Sequence, residues 1–288
     1  MEPVVPIEQL EVFANGLDHS EGIAVTPDGK LYVGGEAGQL YRIEPDDTFT
    51  ELLTTGGFML GLAADAEGRI YACDMAARCV WRINPETKER KVFTKGTDDR
   101  GFTAPNWGCF DANGNYYLSD SGDWKAAAGL IWVVRPSGRT QVWTEESRNF
   151  PNGMALAPDG SQLYVLESTP GALVSFAINE DGSAGPREVL SDLPGAVPDG
   201  VAVAKDGSLI IACYRPDVIY QWHPDYGVRV FAEDPEGVAI AAPTNVVFVG
   251  PELDTIVVPS LGRWHLTRIR AGIAGEPLFY PTREQLGV

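Results

Sequence analysis

Short apolar runs alternate with polar breaks along nearly the whole chain, and the runs recur in a fixed order. Glu21 opens the stretch Ile23-Ala24-Val25, which stops at a Pro-Asp-Gly turn; Leu31-Tyr32-Val33 and Leu40-Tyr41-Arg42-Ile43 follow, and Phe49 to Leu53 reads as a fourth run. Alternation broken by Asp-Gly turns is the signal of strands joined as hairpins. The same opening recurs at Leu60 (LGLAADAEGRIY), Asn106 (NWGCFDANGNYY), Asn152 (NGMALAPDGSQLY), Asp199 (DGVAVAKDGSLII) and Asn245 (NVVFVGPELDTIVV). A unit of this length suits one four-stranded propeller blade. The pattern predicts an all-β fold: a six-bladed β-propeller of four-stranded antiparallel blades around a central channel, one domain over residues 1–288.

Closing such a ring requires one blade to be shared between the two ends of the chain. Gln9-Leu10-Glu11-Val12-Phe13 precedes the first full unit and is expected to complete the sixth blade as its outer strand, with Pro277-Leu278-Phe279-Tyr280 competing for that place. Helix signals are nearly absent.

The phase of the repeat points to a site. Glu21, Asn106, Asn152 and Asp199 are each followed eight residues later by a turn glycine: Gly29, Gly114, Gly160 and Gly207. The first strand of a blade lines the channel, so the openings form a ring at one end: Glu21, Leu60, Asn106, Asn152, Asp199 and Asn245. Five of the six carry a side-chain oxygen. Two carboxylates with neutral amides suit a hard cation such as Ca²⁺ or Mg²⁺, and the lack of histidine and thiolate argues against a zinc or copper preference. A plainer reading is that Asn and Asp cap turns before strands, which explains the fixed phase poorly.

The second strand of each unit ends about fourteen residues after the opening, at Gly35-Glu36, Asp74, Asp120, Glu167, Cys213 and Ser260. Carboxylates there would support the ring from behind or line a pocket, or else be solvated loop acids. His19 is a candidate acid or base near the mouth, with an exposed loop histidine as the plainer reading. Phe58, Met59, Trp107 and Trp124 fall in loops or openings near the same face and could wall a pocket.

Charge and cysteine content narrow the classes. A net charge of -18, from 22 basic and 40 acidic residues, argues against nucleic acid or an anionic membrane as partner. Cys73, Cys79, Cys109 and Cys213 form no close pair and are expected to be buried thiols. The N-terminus has no basic region and no apolar core of signal length, and no window approaches a membrane span. The expectation is a cytoplasmic protein, a monomer or a small homo-oligomer.

The elements HSEGIAVTPDG, FPNGMALAPDG, VPDGVAVAKDG and PTNVVFVGPELDTIVVPS resemble the senescence-marker-protein/gluconolactonase/luciferin-regenerating-enzyme (regucalcin-like) family, and LGLAADAEGRIY is also similar to strictosidine-synthase-like proteins. The resemblance runs from about Glu21 to Ser260. It implies a six-bladed propeller with a single divalent cation near the channel mouth, often calcium, with Mg²⁺, Mn²⁺ or Zn²⁺ as alternatives. It also implies hydrolysis of a lactone, or of organophosphate esters in some members. Carried onto this chain, the family's ligand pattern implies Glu21, Asn152 and Asp199 as metal ligands, Asn106 as a further ligand or substrate contact, and Asp199 as general base. Sugar-lactone members carry an arginine two residues before the third-blade asparagine; here that place is Ala104, and Trp107 replaces an aspartate found in many bacterial members. These departures favour a smaller or more apolar lactone or ester, with Asn106, Asp120, Trp107, Trp124, Phe58, Met59 and His19 as substrate contacts. Non-hydrolytic catalysis on the same scaffold, or a non-enzymatic metal-stabilised binding propeller, are the alternatives, because one fold hosts many chemistries.

Overall fold

A computed structural model describes residues 2–287. Six four-stranded antiparallel sheets succeed one another along the chain as the blades of a propeller, and helix is confined to the turns Ile7–Gln9 and Arg283–Leu286. The innermost strands are Ile23–Val25, Met59–Ala64, Pro105–Phe110, Pro151–Leu156, Val197–Val203 and Val247–Val249. They begin at or within two residues of the six repeat openings. Facing sheets bury aliphatic and aromatic side chains between neighbouring blades, as in the clusters around Tyr71, Tyr116 and Trp132 and around Ile210, Phe231 and Ile256. The core is therefore a series of inter-blade layers, and removing this apolar surface from water is the main stabilising term.

The ring closes as expected from the sequence. Leu10–Phe13 pairs antiparallel with His265–Arg270, in the register Leu10 with Ile269 and Phe13 with Leu266, and supplies the outer strand of the sixth blade. Pro277 to Tyr280 forms no strand. This segment lies across the channel end opposite the ring, where the Tyr280 hydroxyl donates to the Val25 carbonyl at 3.0 Å. A cavity of about 720 Å³ opens at that end, among Val25, Phe110, Leu156, Val203 and Phe279. Among the described residues no helix is long and apolar enough to cross a membrane.

Candidate metal centre and channel mouth

Four of the six ring residues sit where the inner strands break register. The ladder slips between Met59 and Leu62, Pro105 and Trp107, Pro151 and Met154, and Pro198 and Val201. Leu60, Asn106, Asn152 and Asp199 fall inside these slips. A bulge re-aims a side chain out of the strand's normal alternation, so these four leave the blade interior, while Glu21 and Asn245 lie just before strands that pair without a slip. Glycine follows four of the six openings. A Cβ on Gly61 would stand 2.7 Å from the Asn106 carbonyl oxygen, and one on Gly200 would stand 2.6 Å from the Asn245 Cα. Only a residue without a side chain lets neighbouring inner strands approach this closely, which draws the openings together.

Glu21, Asn106, Asn152, Asp199 and Asn245 are all buried. Two of their oxygens, Glu21 Oε2 and Asn152 Oδ1, are buried with no hydrogen-bond partner. Buried polar atoms almost always have partners, so two orphans in one ring need an explanation. The amide nitrogens of Asn106 and Asn152 face serines: Asn106 Nδ2 donates to Ser121 Oγ at 3.0 Å and Asn152 Nδ2 to Ser168 Oγ at 3.4 Å. Asn245 differs, since its Oδ1 accepts the Val246 backbone N–H at 2.8 Å.

Electrostatics mark the same spot. Burial, with a smaller contribution from the Glu36 charge, pushes the Glu21 carboxyl up to about 8, and the Thr244 hydroxyl partly offsets the rise. Asp199 is pushed well above the usual carboxylate range, first by burial and then by the charge of Glu21, while the Asn152 amide beside it acts the other way. Two buried carboxyls with no basic partner, one of them raised further by the charge of the other, are costly when ionised. The donor set of two carboxylates and amide oxygens, two of them orphaned, fits a hard divalent cation, and Glu21, Asp199, Asn152 and Asn106 are the residues that could hold one. No group of three or more His, Cys, Asp or Glu that could hold a metal gathers among the described residues, so a cation in the ring draws on amide oxygens.

Around the ring, the expected pocket residues separate into distinct places. Phe58 is half-buried at the mouth. Trp124 is exposed on the loop between the second and third strands of blade 3 and meets Phe150 edge-on at 4.8 Å. His19 Nδ1 lies 2.8 Å from Asp18 Oδ1 and 3.2 Å from Glu36 Oε2, and the exposed Trp264 ring packs against it at 5.6 Å. Three residues lie elsewhere. Met59 is fully buried in the core beneath Gly34, so it presents no surface to a substrate. Trp107 is buried inside the channel, its ring tip 3.1 Å from where a Cβ on Gly200 would stand, and it lines the cavity at the opposite end. Asp120 is buried with its carboxylate occupied by the backbone: Oδ1 accepts from Ala104 N at 2.7 Å, and Oδ2 from Thr103 N at 2.9 Å and Trp132 Nε1 at 3.2 Å.

Asp120 belongs to a series. Asp74 accepts from Phe58 N, Thr55 Oγ1 and Trp81 Nε1 at 2.8–3.0 Å. Glu167 accepts from Ser147 Oγ and Asn149 Nδ2 at 2.9 Å and takes a two-pronged contact from Arg187. These phased acids are neither pocket-lining nor solvated. Each fixes the segment that leads into its own blade's inner strand. Phe150, which precedes Pro151-Asn152 and holds φ +59°, carries no signal in the repeat. Ser121 and Ser168 do carry one, their spacing of fifteen and sixteen residues after Asn106 and Asn152, although neither is among the expected site residues.

Comparison with known proteins agrees with the blades. The family described as SMP-30/Gluconolactonase/LRE-like region matches residues 20–262. The chain belongs to this family. A gluconolactonase of Zymomonas mobilis is 25% identical over 252 residues, covering 75% of this chain and 70% of its own length. A 6-deoxy-6-sulfogluconolactonase of Pseudomonas putida is 26% identical over 283 residues, covering 84% of this chain and 88% of its own length. Among solved structures, regucalcin from Agrobacterium tumefaciens, described as a calcium-binding protein, superposes with a TM-score of 0.75 at 17% identity, covering 98% of this chain and 99% of its own. The family match covers all six openings, including the five oxygen-bearing ring members.

Proposed function

We propose that this family member is a lactone hydrolase that works with one divalent cation, most simply Ca²⁺, held by Glu21, Asn152, Asp199 and Asn106. The observation that carries the reading is the pair of orphaned oxygens, Glu21 Oε2 and Asn152 Oδ1, in a ring holding two buried carboxyls and no basic partner. The lactonase relatives supply the reaction class. A dication bound there supplies Lewis-acid polarisation of the ester carbonyl and balances the two carboxylates.

The chain's own residues do the rest. Asn106 and Asn152 offer oxygens without adding charge. Asp199 takes a proton from water as the water oxygen attacks the lactone carbonyl, and returns it to the ring oxygen as the carbon–oxygen bond breaks, leaving the open hydroxy acid. Glu36 and Asp18 hold His19 at the rim. The positions two residues before the ring members present Phe58, Ala104 and Phe150, with Trp124 beside Phe150. Ala104 is a buried methyl whose N–H is already tied to Asp120, so the side of the rim made by Phe58, Ala104 and Phe150, away from His19, offers a polyhydroxylated ring few polar partners. The wall supports a smaller or more apolar lactone, resting on Phe58, Phe150 and Trp124 rather than on Met59 or Trp107. The test is a substrate panel: better turnover of hydrophilic sugar lactones than of apolar ones overturns the substrate preference, and no hydrolysis of any lactone or ester with cation present overturns the reaction class.

A further inference from the structure

The ring amides of Asn106 and Asn152 each have two orientations that differ only in whether oxygen or nitrogen faces the site, and a neighbouring serine distinguishes them. The Ser121 hydroxyl lies 2.7 Å from the Pro151 carbonyl, and the Ser168 hydroxyl lies 2.7 Å from the Pro198 carbonyl. A hydroxyl has one proton. A carbonyl only accepts, so each serine donates to its proline and can only accept from its asparagine. Nδ2 of Asn106 and Asn152 must then face Ser121 and Ser168, because a reversed amide would set two acceptor oxygens against each other. The carbonyl carried on from blade to blade thus decides the orientation: Pro151 belongs to the strand of Asn152, and Pro198 precedes Asp199. Both serines are buried, so water does not compete for these bonds.

We propose that Ser121 and Ser168 are positioning residues that turn the Asn106 and Asn152 carbonyl oxygens toward the cation. This rests on the ring being a cation site, as proposed above. Blade 6 contains the natural contrast. Ser260 stands fifteen residues after Asn245, yet its hydroxyl is buried without a partner and the Asn245 oxygen is taken by the Val246 N–H. Serine at this phase does not by itself orient an amide; the bond to the next blade's carbonyl does.

The test is Ca²⁺ titration by calorimetry on the full chain, with metal-free melting temperatures measured alongside. Groups that orient a metal ligand change affinity by about 10–100-fold when removed, so S121A and S168A should each weaken Ca²⁺ binding about tenfold or more, while S260A leaves it unchanged. The decisive arm is a double-mutant cycle with N106D, since a carboxylate has no nitrogen to misdirect. S121A should cost affinity in the wild-type background and nothing in the N106D background, whatever it does to the metal-free melting temperature. Equal tenfold losses in both backgrounds, or wild-type affinity in S121A and S168A, overturn the positioning role while leaving the cation site standing. A wild type that takes up neither Ca²⁺ nor Mn²⁺ overturns the cation site itself, and this proposal with it.

Discussion

At the scale of single residues, the repeat places Asn106, Asn152 and Asp199 where the inner strands slip register and Glu21 just before its strand begins. Glu21, Asn106, Asn152 and Asp199 were recognisable from sequence since phase in a repeat is a local, countable property. What each neighbour does was not. Asp120 and Trp107 meet their partners, Ala104 and Gly200, only after the strands pair and the blades stack. The roles of Met59 and Trp107 depend on which side of a bulged strand they fall, and a one-residue slip reverses that. At this scale the account predicts that Asp199→Asn leaves a folded protein and lowers kcat by about 10²- to 10⁴-fold, the range for losing a general base. Steady-state kinetics on any accepted lactone check it; wild-type kcat with cation still bound would refute the base assignment.

Among elements, the segments entering the inner strands of blades 2, 3 and 4 are held by buried acids, Asp74, Asp120 and Glu167, at the end of each of those blades' second strands. Asp120 accepts the backbone N–H groups of Thr103, Ala104 and, at 3.4 Å, Gly122 together with an indole N–H, so Asp120→Ala leaves four donors short of an acceptor. Hydrogen bonds to a charged group are worth roughly 1.5–3 kcal/mol each before relaxation, and a total loss of about 3 kcal/mol or more is expected by chemical denaturation. The N-terminal strand is the other element with a testable role. Its pairing with His265–Arg270 was readable because a blade count of six leaves one orphan strand and one open edge. Deleting residues 1–13 should expose that edge and lower the melting temperature by on the order of 10 °C. A truncated chain that melts like the full one would mean the closure contributes little.

The whole molecule couples ring charge to pH. Glu21 and Asp199 titrate higher in the folded, metal-free protein than in the unfolded chain. The folded state therefore binds more protons than the unfolded state above the ordinary carboxyl range, and its stability falls as pH rises. For Glu21 the window runs from 4.5 to about 8. The metal-free protein should accordingly lose melting temperature steadily across this window, and added Ca²⁺ should raise it more at pH 8 than at pH 5.5, because a cation competes with those protons. A flat profile without cation would count against two buried, unpaired carboxyls. The fold, the blade count and the closure follow from the period of the chain; the reactivity depends on what those carboxyls hold. The most direct test is lactone hydrolysis by protein stripped with chelator, shown metal-free by elemental analysis, and then reloaded. The account predicts activity abolished by stripping and restored by Ca²⁺ or a similar divalent cation. Undiminished hydrolysis by the stripped protein would contradict it.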